Sequence, residues 1–227
     1  MTKPIDTRSL VDRVYEYLLD QIVTGAIKYG DNISIKHIAS ELNVSTMPVR
    51  EAVKRLEFEQ VVSIKPRSSC QVRKPSRKMI REVYELREVL ELYAVSKSLT
   101  RVGPNSLAQM HKIVDRMRSL RDEPNAAERE KKAIALDYEF HEALCALAAN
   151  DFLSSYYRQL SLHVNMTLIH EKTYHTLELQ WPDVHAEILR CLEEEPSRAA
   201  EVLRRHFANV TALLDGNGTG KDEDGEP

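Results

Sequence analysis

From Met79 to Leu214 apolar residues recur every three to four positions, with few interruptions. That spacing is the signature of amphipathic helices. A run of such helices buries its stripes only by packing helix on helix, so this half of the chain is expected to form an all-α antiparallel bundle. MIREVYELREVLELYAVSKSL is the first of these helices, ended by Gly103 and Pro104, and SLAQMHKIVDRMRSL is the second. A charged stretch, DEPNAAERE, precedes AIALDYEFHEALCALAA, which stops near Asn150. DFLSSYYRQLSLHVNMTLIHEK is long and apolar on one side. Trp181 and Pro182 open VHAEILRCLEE, Pro196 breaks it, and Ser197 caps RAAEVLRRHFANVTALL. Tyr84, Tyr93, Met110, Met117, Tyr156, Tyr157 and Met166 are read as core or dimer packing.

The N-terminal third reads differently. Leu10, Val11, Val14, Leu18 and Ile22 form a helical stripe that ends before Gly25 and Gly30. IKHIASELN gives a short helix ending near Asn43. Ser45 is placed to cap the next helix, MPVREAVKRLEFEQ, with Pro48 in its first turn. Two β-prone runs, VVSI and CQVR, flank KPRSS. Helix, helix, tight turn, helix and hairpin is the plan of a winged helix-turn-helix. The fold class is therefore mainly α: a winged helix-turn-helix over residues 1–74, a polar linker at 75–78, a helical domain over 79–215 and a disordered Gly- and acid-rich tail over 216–227.

Charge divides along the same line. Residues 1–78 hold 14 Lys/Arg and 9 Asp/Glu, a net of +5, whereas residues 79–227 hold 18 and 26, a net of −8. A basic front suits a polyanion. Cys70, Cys145 and Cys191 are odd in number and widely spaced, which argues against a disulfide scaffold or a thiolate zinc site and fits a reducing cytosol. The N-terminal MTKPIDTRSL lacks the apolar run of a signal peptide. No stretch approaches the roughly 20 apolar residues that span a bilayer. A cytoplasmic protein without a membrane partner is expected.

The turn ELNVSTMPVREA sets a helix start beside a basic face, with Thr46, Arg50 and Lys54 projecting from it. Such a helix fits the major groove of double-stranded DNA. There Arg50 can donate two hydrogen bonds to guanine or to phosphate. Ser45 and nearby backbone N–H groups suit a phosphate. Lys65, Arg67 and Lys74 lie on or near the hairpin, placed to follow the backbone or enter the minor groove. SIKHIASELNVSTMPVREAVKRLEFEQVV resembles the DNA-binding domain of GntR-type bacterial transcription regulators, and the helical half resembles the FCD branch of their FadR subfamily. The resemblance covers roughly residues 8 to 215 and implies DNA contacts at Lys36, Ser45, Thr46, Arg50, Arg67 and Ser68. There are departures. The family usually has Arg where this chain has Thr46, Gly where it has Gln60, and often Gly at the wing tip, where it has Ser68 and Ser69.

In DYEFH, Asp137 and His141 are four apart and share a helix face. His185 lies about ten residues before the turn near Glu195 and His206 nine after Ser197. In an antiparallel hairpin both stand roughly 14 Å from that turn. Two imidazoles at one level, with an Asp/His pair from a third helix, can converge inside a bundle to hold a metal. The FCD resemblance implies the same four ligands. Three imidazoles and one carboxylate suit Zn²⁺ first, and also Ni²⁺, Mn²⁺ or Fe²⁺.

A metal-dependent hydrolase is the contrasting reading. It is disfavoured because Glu142 points about 100° away from His141 on the helix and no H-E-x-x-H, Ser–His–Asp order or glycine-rich phosphate loop stands out. The chain has only 7 Gly, so strained loops are scarce. No enzyme is expected. Arg87 is a candidate anchor for a carboxylate effector, a role that the FCD resemblance also implies, or else an intrahelical partner of Glu91. His163 and His170 share a face of the long helix, and His163 is taken as a second effector-binding candidate. The resemblance further implies a homodimer on a pseudo-palindromic operator, with a small organic acid shifting the bundle between two arrangements; release from DNA, hence repression without the acid, is the commoner family behaviour, and strengthened binding is the alternative. A purely structural metal in a dimerisation bundle is the alternative.

Overall fold

The computed structural model describes residues 9–65, 69–98, 104–171 and 181–216. The chain divides into two compact units, Met1–Pro75 and Ser76–Pro227. Of the expected site residues, Arg67 and Ser68 lie outside the described residues, as do the side chains of Lys65 and His170 and the tail from residue 217.

In the first unit, helix α1 spans Leu10–Val23. The Ser9 hydroxyl accepts from the Asp12 N–H and the Asp12 carboxylate accepts from the Ser9 N–H, so two free N–H groups are satisfied together. Val14, Tyr15, Leu18 and Ile22 are buried, but Leu10 remains 45% exposed, so the buried stripe starts later than its apolar spacing suggests. Helix α2 (Ile35–Glu41) starts at Ser34, whose hydroxyl accepts from the His37 N–H. The tight turn follows at once, with Asn43 in the left-handed region at φ 52°. Helix α3 (Thr46–Phe58) packs on both α1 and α2 through Val49, Ala52, Val53 and Leu56. Ser45 holds the expected capping position, yet its side chain makes no capping hydrogen bond, which corrects the expected role of that hydroxyl.

The hairpin is β2 (Val62–Lys65) and β3 (Ser69–Val72), paired antiparallel with Ile64 opposite Cys70. A third strand, β1 (Asn32–Ile33), pairs with the other edge of β3 and gives the order β1-β3-β2. Two residues are too few for any alternation to mark that strand in the sequence. Gly30 (φ 83°) turns the chain into it, donating to the Val72 carbonyl while its own carbonyl accepts from the Gln71 side chain.

The second unit is helical throughout its described residues: α4 (Arg77–Ser98), α5 (Pro104–Ser119), a 3₁₀ turn at Leu120–Asp122, α6 (Ala126–Ala146), α7 (Asp151–Glu171), α8 (Trp181–Glu194) and α9 (Pro196–Gly216). Helix α4 is central, packing on α6, α7 and α9, while α8 and α9 pair with each other. Buried Tyr84, Met110, Phe140, Leu144, Ile188, Leu203 and Phe207 belong to one continuous core. Four boundaries differ from the sequence expectation. Arg77 and Lys78 belong to the first turn of α4 rather than to a linker. Pro104 and Pro196 start α5 and α9 instead of ending their predecessors, so Ser197 lies inside α9 and does not cap it. Proline suits a first helical position because its missing N–H has no helical acceptor there. Helix α6 takes in much of the charged stretch because the Asn125 side chain accepts from the Ala127 and Glu128 N–H groups. No helix among the described residues is long and apolar enough to cross a membrane.

Candidate metal centre

Helices α6, α8 and α9 bring Asp137, His141, His185 and His206 together, with one ligand atom from each within 4.8 Å of all the others. Their exposures are 7%, 0%, 0% and 6%, so the cluster is interior. Asp137 and His141 share a face of α6 one turn apart, as their spacing dictates. The Nε2 atoms of His141 and His185 are 3.2 Å apart. The Asp137 Oδ1 lies 3.4 Å from the first and 3.1 Å from the second. His206 completes the set, its ring stacked on His141 at 5.2 Å and edge-on to His185 at 5.3 Å. Phe140, fully buried, closes one side with its ring 4.6 Å from that of His185.

The three separations among His141, His185 and Asp137 fit a metal ion. Ligand atoms about 2.1 Å from a cation stand ~3.0 Å apart at right angles and ~3.4 Å apart at tetrahedral angles. The Asp137 Oδ1 is also buried without a well-formed hydrogen bond. The imidazoles of His141 and His185 stand at ion-pair distance from it, and a bound cation would sit among the three, since leaving a buried carboxylate uncompensated costs roughly 3–5 kcal/mol. Burial acts to raise the Asp137 pKa, but His141 and His185 overcome it and hold the carboxyl well below its usual range. Burial acts to lower the His141 pKa, yet Glu91 and Asp137 raise it to about 9. Burial, joined by the charges of His141 and His185, holds His206 well below the ordinary histidine value.

Glu91, read from the sequence only as a partner for Arg87, also touches the cluster. Its Oε2 lies 2.6 Å from His141 Nδ1, and its Oε1 accepts from Arg87 Nε at 3.1 Å. Both Arg87 and Glu91 are buried, at 3% and 0%. The Arg87 guanidinium faces the rings of Tyr84, Tyr157 and Phe207 at 5.4–5.7 Å. The expected intrahelical pair is therefore present, but in the core, where removing one partner is far more costly than at a surface. A signal was available: Val83, Tyr84, Arg87, Glu91, Ala94 and Val95 repeat at helical spacing, and all are buried on α4. His163 is buried on α7 and lies outside the four-ligand cluster.

In the first unit Lys36, Ser45, Thr46, Arg50 and Lys54 are all exposed. Lys54 pairs with Glu51 at 2.9 Å, an exposed contact that a phosphate can displace. Gln60, which stands where a glycine is usual in the family that the sequence resembles, keeps the left-handed backbone at φ 61°.

The two units match known families. Residues 10–72 match the model of bacterial regulatory proteins of the gntR family, and residues 82–209 match the FCD domain. The chain is 29% identical to the HTH-type transcriptional regulator McbR of Escherichia coli K12 over 50% of its own length and 52% of that protein's. It is 35% identical to the gluconate operon transcriptional repressor of Bacillus subtilis over 47% of its own length and 43% of the relative's. The chain thus spans about half the length of these curated relatives. A transcriptional regulator from Rhodococcus sp. RHA1, 24% identical, shares the fold with a TM-score of 0.78 over 92% of this chain and 99% of that one. With a winged helix-turn-helix followed by a helical unit that buries an Asp/His₃ cluster able to bind a metal, the chain belongs to the GntR family of DNA-binding transcription regulators, in the group that carries an FCD domain.

Proposed function

We propose that the protein is a repressor of the FadR subfamily that senses a small organic acid at a metal ion held by Asp137, His141, His185 and His206. The observation that carries this reading is the convergence of the four buried ligand atoms in a chain whose residues 10–72 match the gntR family model. Zinc is the first candidate for this donor set, and nickel, manganese and iron also suit it. When bound, such an ion offers open coordination positions to a carboxylate or hydroxyl. Arg87 and His163 are proposed to face that ligand. Lys36, Ser45, Thr46, Arg50 and Lys54, with Arg67 and Ser68 at the wing, are proposed to contact DNA. Repression is favoured because one relative is named as the repressor of a gluconate operon.

A homodimer is proposed because a recognition helix reads one half-site and pseudo-palindromic operators present two. An outward apolar stripe on α4 (Leu86, Val89 and Tyr93) and exposed Phe152 and Tyr156 on α7 support it. The near-complete burial of the ligands favours one competing reading, a metal that is structural only.

Elemental analysis of the purified protein beside a His206→Ala variant tests the metal, with operator binding measured on both. About one metal per wild-type chain, lost in a variant that still binds DNA, supports the reading. A metal-free wild type, even after reconstitution, refutes it. Thermal shift with gluconate and a panel of other organic acids then separates sensor from structural ion, since binding to the folded form raises the melting temperature.

A further inference from the structure

We infer that Glu91 is a positioning residue of the metal centre, holding His141 in the one tautomer and ring orientation that turns Nε2 toward the ion. The inference rests on the metal reading proposed above. An imidazole ligates through a nitrogen that carries no proton, so the ring's single proton must sit on the other nitrogen. For His141 the inward atom is Nε2, beside His185 Nε2 and Asp137 Oδ1. The outward atom is Nδ1, at 2.6 Å from Glu91 Oε2. A carboxylate accepts and never donates when ionised, so this contact fixes the proton on Nδ1 and frees Nε2. A 180° flip of the ring would turn a carbon toward the carboxylate and abandon the hydrogen bond.

Glu91 itself is fixed from the other side. Its Oε1 receives both Arg87 Nε and Nη2 at 3.1 Å, so the carboxylate has one oxygen for each neighbour and no freedom to turn. All three residues are at least 97% buried, which excludes water as a substitute acceptor for Nδ1. Glu91 comes from α4, whereas the four ligands come from α6, α8 and α9, so a separate helix supplies the support. Partners behind metal-bound histidines commonly contribute about 10–100-fold in metal affinity.

Isothermal titration of Zn²⁺ into the metal-stripped full-length protein tests this in wild type, Glu91→Ala and Glu91→Gln. Glu91→Ala is expected to bind zinc about 10–100-fold more weakly. Glu91→Gln keeps the side chain's shape but offers one accepting oxygen where Arg87 and His141 each use one, so it is expected to weaken zinc binding as well, which a loss of packing alone would not do. Circular dichroism shows whether each variant folds. If neither does, ¹⁵N spectra of the zinc-loaded wild type decide, since His141 must show a protonated Nδ1 and a ligated Nε2. Tight zinc binding by wild type with equal affinity in a folded Glu91→Ala, or ligation through His141 Nδ1, overturns the role of Glu91 alone. A wild type that binds no zinc removes the metal reading and this inference with it.

Discussion

His141 and His206 stack against each other, yet their pKa values move in opposite directions, and the metal-free protein should show both effects. For His141 burial is overcome by Glu91 and Asp137, raising the pKa from 6.5 to about 9. A raised histidine contributes stability that is complete below the unfolded value and is lost as pH climbs through the folded one. That loss falls between about pH 6.5 and 9. For His206 burial and the neighbouring histidine charges lower the pKa, so its contribution is present above the unfolded value and disappears as pH falls. In a chelator the melting temperature should therefore peak near the ordinary histidine value and decline on both sides. Saturating zinc should remove the alkaline decline, because the ion replaces the proton between His141 and Asp137. A melting temperature in chelator that stays level from pH 6.5 to 9 would contradict the assignment.

Gln60 and Arg50 offer two further tests among single residues. Gln60→Gly should raise stability by about 0.5–1 kcal/mol in urea denaturation, since a left-handed backbone strains any side chain. Arg50→Ala should weaken operator binding by about 1–3 kcal/mol if the side chain reads a base. If instead it meets phosphate, the salt dependence of binding should flatten by about one unit. Both outcomes are read from fluorescence anisotropy at several salt concentrations, and no change in either would remove Arg50 from the interface.

At the scale of the helix, proline and asparagine account for what the sequence showed and what it concealed. Apolar periodicity revealed the helices, and the register of α8 against α9 carried His185 and His206 to one level. Boundaries were harder to read because one proline can end a helix or begin the next. Pro104 and Pro196 begin theirs. Asn125 is the clearest case, since a charged stretch conceals a cap that only three-dimensional hydrogen bonds reveal. Asn125→Ala should cost about 1 kcal/mol in urea denaturation by freeing two N–H groups at the start of α6. An unchanged midpoint would mean that water satisfies them equally well. The contact of Glu91 with His141 was hidden for a related reason. An Arg and a Glu four apart usually describe a solvated helix surface, and only the packing of α4 against three other helices puts this pair inside.

For the molecule as a whole, the burial of the ligands has a kinetic consequence. An ion bound there would be enclosed by ligands exposed by 7% or less, with little direct access to solvent among the described residues. It leaves only when the bundle opens locally, and the frequency of such openings is set by the stability of α6, α8 and α9. Chelation should therefore proceed at a rate independent of chelator concentration once the chelator is in excess, and a direct attack on an accessible ion would show a rate rising in proportion. The same openings would admit any acid that reaches the metal. The response time of such a switch would then be a property of the protein's breathing, the same for every acid however tightly it binds.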